Sequence, residues 1–318
     1  MLLWVNTRLM LLDTPSLYFR AFYGVPESVT APDGTPVNAV RGLVDMIARL
    51  VRDRWPAHLV ACMDADWRPA FRVDALPSYK AHRVDPERED PTPPVLAAQV
   101  PVIEEVLDAL GVARVGAAGY EADDVIGTLT TTHPGPVDVV TGDRDLFQLV
   151  DDRRPVRVLY TAKGIGQLTE VDEAEVTRRY GIPGRAYADF ALLRGDPSDG
   201  LPGVTGVGDK TAATLVSTFG SLEAMLAALD AGDTTGFTGG SRTRLTAARD
   251  YLASAPQVVR VVTNIALPEL DTTLPRSART PERLQELAQR WNLNSPVQRL
   301  LETLETPKAA TGNTDTGT

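Results

Sequence analysis

Within GYEADDVIGTL (Gly119–Leu129), Glu121, Asp123 and Asp124 stand at the head of a segment that reads as a helix. Carboxylates near a helix N-terminus are ordinary, because the partial positive charge there favours them. Three in four residues is more than a cap needs. Further acids fall at comparable places: Asp13 closes LMLLD, Asp64 closes HLVACMD, and Asp143 and Asp145 follow VDVVT in TGDRD. Asp196 and Asp199 form a fifth group in GDPSDG. Standing three apart, they can aim at one ion if the turn is helical. Like charges crowded into one cleft raise each other's pKa sharply, so such a set calls for cations. Hard cations with oxygen ligands answer it, and Mg²⁺ or Mn²⁺ is the natural choice. No cluster of His with Cys accompanies the acids, which argues against Zn²⁺. Two such ions about 4 Å apart suit in-line attack of water on a phosphodiester. Singly, each acid group has a plainer role as turn, cap or solvated helix start. Their joint placement, strand end after strand end, favours the metal site.

Cations gather in two other stretches. Between residues 67 and 98, Arg68, Arg72, Lys80, His82 and Arg83 are interleaved with Phe71 and Tyr79 in a polar, proline-rich excursion. Cations contact phosphates and aromatic rings stack on unpaired bases, although an ordinary surface loop can have the same composition. In Gly195–Val216, Gly203, Gly206 and Gly208 make a tight loop before a helix starting near Asp209-Lys210. Glycine lets the backbone approach a phosphate, and a helix N-terminus supplies N–H donors. Three glycines alone are only a turn. The chain holds just four lysines, so Lys80 and Lys210 stand out where arginine is the usual cation.

Positioning these groups requires strands that end at one edge. Leu9–Asp13, His58–Asp64, Val112–Val115 and Val137–Thr141 read as short apolar strands. Helices are expected after a cap at Asn38, over Val100–Leu110 and from Glu121. This alternation indicates an α/β fold with a mostly parallel central sheet flanked by helices. Ligands bind such sheets outside the carboxyl ends of the strands, where Asp13, Asp64 and Asp143 fall. Beyond about residue 170 the periodicity is helical, over 172–180, 185–194, 209–218, 221–230, 241–254, 281–291 and 296–304. The expected division is an α/β core over 1–170, a helical region over 171–306 and a disordered tail over 307–318.

The 318 residues are 43% hydrophobic, enough for a sizeable core. Cys62 is the only cysteine, so no disulfide forms within the chain, which fits a reducing cytoplasm. No apolar run approaches the roughly 18–20 residues needed to span a bilayer. The start, MLLWVNTRLMLLD, lacks a basic front end and a small-residue cleavage site, and reads as the lead into a buried strand. Net charge is −10, which on charge alone argues against nucleic-acid binding. Bound divalent cations offset this, since nine of the 42 acids belong to the expected metal set.

Together, Gly119–Leu129, Thr141–Val150 (TGDRDLFQLV) and Gly195–Ala213 resemble the 5′ nuclease (flap endonuclease) superfamily. Within it they resemble the bacterial 5′–3′ exonuclease that elsewhere forms the N-terminal domain of DNA polymerase I. The resemblance runs from about Leu9 to Leu304. It implies a PIN/5′ nuclease-like core with a helical arch at about 67–98 and a helix-two-turn-helix. It makes Asp13, Asp64, Glu121, Asp123, Asp124, Asp143, Asp145, Asp196 and Asp199 the metal-site acids for two or more Mg²⁺ or Mn²⁺ ions. The loop around Gly203, Gly206 and Gly208, with Lys210, matches the element that grips duplex backbone and often binds K⁺ through carbonyls. Arg72 and Lys80 match the basic catalytic residues at the base of the arch. Arg20 and Tyr23, in YFRAFY, join Arg68, Tyr79 and Arg83 as DNA contacts. The implied substrates are 5′ flaps, nicked or gapped duplexes and RNA primers in replication and repair, cut by a cytoplasmic monomer with no membrane contact. Three positions depart from the family's habit: Thr14-Pro15 follow Asp13 in place of Gly, Gly200 replaces a common Asn, and Thr205 a common Pro.

Two other classes compete on the residues alone. A small-molecule Mg²⁺ phosphohydrolase with an aspartyl nucleophile wants an acid two residues after Asp13, and Pro15 stands there. A non-catalytic nucleic-acid binder would have lost a site acid, and none is lost.

Overall fold

The computed structural model describes residues 7–84 and 92–305. Five strands run parallel: β1 (Leu9–Asp13), β2 (His58–Cys62), β3 (Ala113–Val115), β4 (Val137–Thr141) and β5 (Val156–Tyr160). With β6 (Thr169–Val171), antiparallel to β5, they form a sheet in the order β3-β2-β1-β4-β5-β6. Successive side chains point to opposite faces, so Leu9 and Leu11 enter one core and Met10 and Leu12 the other. Burial on both faces is why these strands read as unbroken apolar runs.

Between the strands lie α1 (Thr14–Gly24), α2 (Asn38–Arg54), α3 (Ala70–Ala75), α4 (Pro94–Ala97), α5 (Val100–Leu110) and α6 (Ala122–Thr132). α1 was not anticipated. Asp13 caps it by accepting from Ser16 N at 3.2 Å, and Pro15 sits in its first turn, where a missing N–H costs nothing. Thr14-Pro15 after the first acid therefore starts a helix. The expected cap Asn38 lies one residue inside α2, whose cap is Val37. Asn38 Nδ2 instead donates to the carbonyls of Phe22 and Val25, tying α2 to the end of α1.

The second half supplies α7 (Glu173–Tyr180), α8 (Tyr187–Arg194), α9 (Asp209–Phe219), α10 (Leu222–Asp230), α11 (Ser241–Ala247), α12 (Arg249–Ser254) and α13 (Pro256–Val259). The expected helix 241–254 is broken at Ala248. A strap over 260–280 without helix or strand then returns to the sheet, where Leu59 N donates to Thr272 O at 2.8 Å and Leu274 N to Ala57 O at 2.9 Å. α14 (Pro281–Arg290) and α15 (Asn294–Glu305) pack on α5 and α2 in the same core as Met10 and Leu12. Within the expected helical region 171–306, residues of α7–α12 join the core of Leu9 and Leu11, and those of α14 and α15 join that of Met10 and Leu12. Leu284, Leu287, Leu293, Val297 and Leu300 find their apolar cover on the far face of the sheet.

Of the expected arch, α3, a short turn at Ala81–Arg83 and α4 are described, while 85–91 and the expected tail 307–318 lie outside the described residues. Among the described residues no single helix is long and apolar enough to cross a membrane.

Candidate active site

The chain's strand order reverses beside β1, between its neighbours β2 and β4. At such a switch point the connections leave in opposite directions and open a crevice at the carboxyl ends. A cavity of about 480 Å³ lies there. Eight of the nine expected acids line it: Asp13, Asp64, Glu121, Asp123, Asp143, Asp145, Asp196 and Asp199. β1 delivers Asp13, the residue after Met63 delivers Asp64, and the turn after β4 delivers Asp143 and Asp145. Their backbone is held by their own side chains. Asp143 N donates to Thr141 Oγ1 and Asp145 N to Asp143 Oδ1, both at 2.8 Å. Asp64 Oδ1 accepts from Ala122 N at 2.8 Å, which joins the end of β2 to the start of α6.

This many carboxylates cannot all be comfortably ionised. Burial pushes Asp13 up to about 7, against the hydrogen bond from Thr141 and with help from Asp64. Asp123 and Asp145 are driven well up, first by burial and then by Asp13 and Asp143 respectively. Asp143 rises through burial and Asp199. Asp64 also rises, through burial in the cleft and Glu121, although its carboxylate meets solvent that screens part of the effect. An all-oxygen donor set with unmet negative charge fits hard divalent cations. Among the described residues no group of three such side chains stands ready to hold an ion. Several are engaged elsewhere: Asp13 with Thr141, Asp196 with Ser198, Asp199 with Arg83, and Glu121 with Lys80 and Tyr79. Ions would compete with these partners for the carboxylate oxygens.

The ninth acid, Asp124, does not face the cavity. It is fully buried, and Arg72 grips it with two nitrogens at 2.7 and 2.6 Å. Val262 N and Glu121 N also donate to it, at 2.8 and 3.3 Å. Arg72 is buried too, with further bonds to Glu121 Oε2 at 2.7 Å and Val258 O at 3.0 Å. These bonds pin the excursion, the N-terminus of α6 and the start of the strap together. Neither Asp124, expected as a metal ligand, nor Arg72, expected as a catalytic residue, lines the cavity, and the contacts both make are those of positioning residues. Tyr79 is likewise buried, its hydroxyl donating to Glu121 at 2.7 Å, so it is no stacking platform. Arg68 spends its guanidinium on the carbonyls of Tyr79 and Pro77. Lys80 pairs with Glu121, and Arg83 bonds Asp199 Oδ1 and Ser198 O at 2.6 Å each; both line the cavity.

Comparison with known proteins adds the decisive observation. Residues 8–181 match the family described as 5′–3′ exonuclease, N-terminal resolvase-like domain, and 182–282 match its C-terminal SAM fold. The chain belongs to the 5′–3′ exonuclease family. It is 62% identical over 300 residues to a 5′–3′ exonuclease of Streptomyces coelicolor, covering 93% of this chain and 99% of that one. It is 42% identical over 301 residues to DNA polymerase I of Mycobacterium tuberculosis, covering 93% of this chain and 30% of the polymerase. A structure of the T5 D15 protein co-crystallised with metal ions has the same fold, with a TM-score of 0.63 at 17% identity over 94% of this chain and all of that one.

None of the family's remaining implied contacts lines the cavity, though Arg20 and Gly203 lie beside segments that do. Gly206, Gly208 and Lys210 are exposed at the start of α9, which has no side-chain cap. Gly203 is buried: a Cβ there would meet Gly195 N at 2.5 Å, so it serves packing, not phosphate approach. Arg20 lies near Gly142 with its Nε buried and unpartnered among the described residues. Tyr23 is 73% exposed at the far end of α1, about 15 Å along the helix from Asp13. Sequence reasoning missed Ser16, Arg144 and Tyr160 in the cavity wall. Arg144 carried a signal, standing between two site acids in GDRD.

Proposed function

We propose that this chain is a metal-dependent, structure-specific 5′ nuclease, a 5′–3′ exonuclease and flap endonuclease acting on DNA and RNA-primed DNA in replication and repair. One observation carries the reading: eight carboxylates from five segments share one cavity with Lys80 and Arg83. Mg²⁺ or Mn²⁺ held there would neutralise the acids, polarise the phosphodiester and lower the pKa of the attacking water.

The chain's own residues supply the rest. The eight acids would hold the ions. Lys80 Nζ, once drawn from Glu121, would meet a phosphate oxygen and stabilise the charge that builds during attack. Arg83, drawn from Asp199, would anchor the incoming single strand. The N–H groups at the uncapped start of α9, with Gly206, Gly208 and Lys210, suit phosphates of the duplex backbone. Carbonyls of the same loop would take K⁺. Tyr23 and Arg20 on α1 would meet the strand outside the cavity. Phosphate contacts position without reading sequence, so selection is by shape: duplex at the two-turn loop and a 5′ single strand along the excursion. The protein would act as a cytoplasmic monomer.

A 5′-labelled flap substrate with Mg²⁺, Mn²⁺ or EDTA tests this. Short labelled products with either metal and none in EDTA are expected. Binding without cutting in both metals would leave a nucleic-acid-binding protein and overturn the nuclease.

A further inference from the structure

Among the described residues three cations line the cavity, and two are already engaged. Lys80 is paired with Glu121, and Arg83 with Asp199 and Ser198 O. Both belong to the excursion, whose base lies by β2 and α6. Arg144 follows β4, on the other side of β1. Its side chain is 44% exposed and its nearest carboxylate, Asp196 Oδ2, is 3.9 Å away, too far for a hydrogen bond. Its backbone is fixed by the hydrogen bonds that lock Asp143 and Asp145 on either side. An anchored residue with an uncommitted guanidinium is well placed to receive a ligand oxygen.

The surroundings indicate which oxygen. Asp196 Oδ2 lies 3.5 Å from Arg194, and Arg194 Nε lies 3.9 Å from Asp209 Oδ1 in the first turn of α9. The contacts thus run from Arg144 through Asp196 and Arg194 to the helix start that would hold duplex backbone, and Arg144 lines the cluster where that path begins. A strand leaving the cluster toward α9 sets out beside this guanidinium, whose planar fork suits two oxygens of one phosphate. We propose that Arg144 binds the phosphate adjoining the scissile one on its duplex side and thereby sets which bond is cut. This rests on the nuclease reading above.

The test uses single-turnover cleavage of a flap substrate carrying one uncharged methylphosphonate linkage at that position. Wild-type protein is expected to slow by about 10- to 100-fold on it, the worth of a charge-assisted contact. Arg144→Ala should show a similar loss on the natural substrate, a scattered cleavage position, and no further loss on the neutral linkage. Arg144→Lys should recover part of the rate on the natural substrate only. Additive losses, or Arg144→Ala cutting at the wild-type rate and position, would overturn the assignment. If wild-type protein cuts no 5′ flap at all, the nuclease reading fails and this assignment falls with it.

Discussion

Asp123 lines the cavity while Asp124, one residue on, gives both oxygens to Arg72 and backbone amides. Neighbours on a helix point about 100° apart, so the pair cannot face one ion cluster. Asp124→Asn is therefore expected to destabilise the fold by about 3–5 kcal/mol, the cost of stranding a buried partner. Calorimetric Mn²⁺ titration of the folded variant should stay near wild type, whereas Asp123→Asn should weaken it. The reverse pattern would return Asp124 to the metal site. Lys80→Ala should lower the single-turnover rate on the order of 100-fold with little change in substrate binding, as for lost transition-state contacts. A normal rate with weakened binding would make Lys80 only a DNA anchor.

Asp13 adds a pH signature. Its pKa is raised to about 7, so the folded chain keeps a proton that the unfolded chain loses near pH 4. The raised value costs stability progressively as pH climbs from about 4 to 7, and the cost is constant above that. In EDTA, Asp13→Asn should be more stable than wild type by roughly 2–4 kcal/mol at pH 8, with the advantage gone by pH 4. Thermal melts across that range check it, and an advantage that grows toward low pH would refute the burial argument. At this scale the sequence tells residue type but not direction. The acids were legible as a set, but nothing in EADD distinguishes the residue that faces the cavity from the one that pins the helix.

At the scale of elements, the excursion and the Asp196–Gly200 turn are latched. Lys80 N donates to Asp199 O at 3.0 Å, Ser78 Oγ to Gly200 O at 2.8 Å, and Arg83 reaches the same turn. Gly200 has φ +74, and a Cβ there would strike the carbonyl of Ser78. This accounts for Gly where the family commonly has Asn. Gly200→Ala should cost about 1–3 kcal/mol and lower cleavage by disturbing Lys80 and Arg83. A variant with unchanged melting temperature and rate would show that the latch does not hold in solution. The short apolar strands were readable as unbroken apolar runs and the amphipathic helices from their period. β5 and β6 were not: VRVLY carries an arginine, and Thr169–Val171 is too short to show a period. α1 hid behind Pro15, which reads as a breaker unless its position in the first turn is known.

At the scale of the whole molecule, a chain of net charge −10 must meet DNA through local cation groups. Affinity for a flap substrate should fall roughly tenfold or more between 50 and 200 mM salt if several phosphates are contacted. Fluorescence anisotropy in Ca²⁺ would measure it, and a salt-independent affinity would point to another kind of ligand. The two-part division was the least legible feature, because periodicity says that 281–305 is helical but not which face those helices cover.

That return of α14 and α15 to the sheet also has a meaning in time. A chain leaving the ribosome presents β1 and β2 early, yet the core that holds Met10, Leu12 and Leu59 is closed from outside α2 and α5 only by Leu284, Val297 and Leu300 of α14 and α15. The layer behind the strand ends that carry Asp13 and Asp64 is therefore complete only once residues 281–305 have emerged. A nascent chain would hold most of the acids before α15 (Asn294–Glu305) is available, so the cutting site should mature only after that helix has emerged.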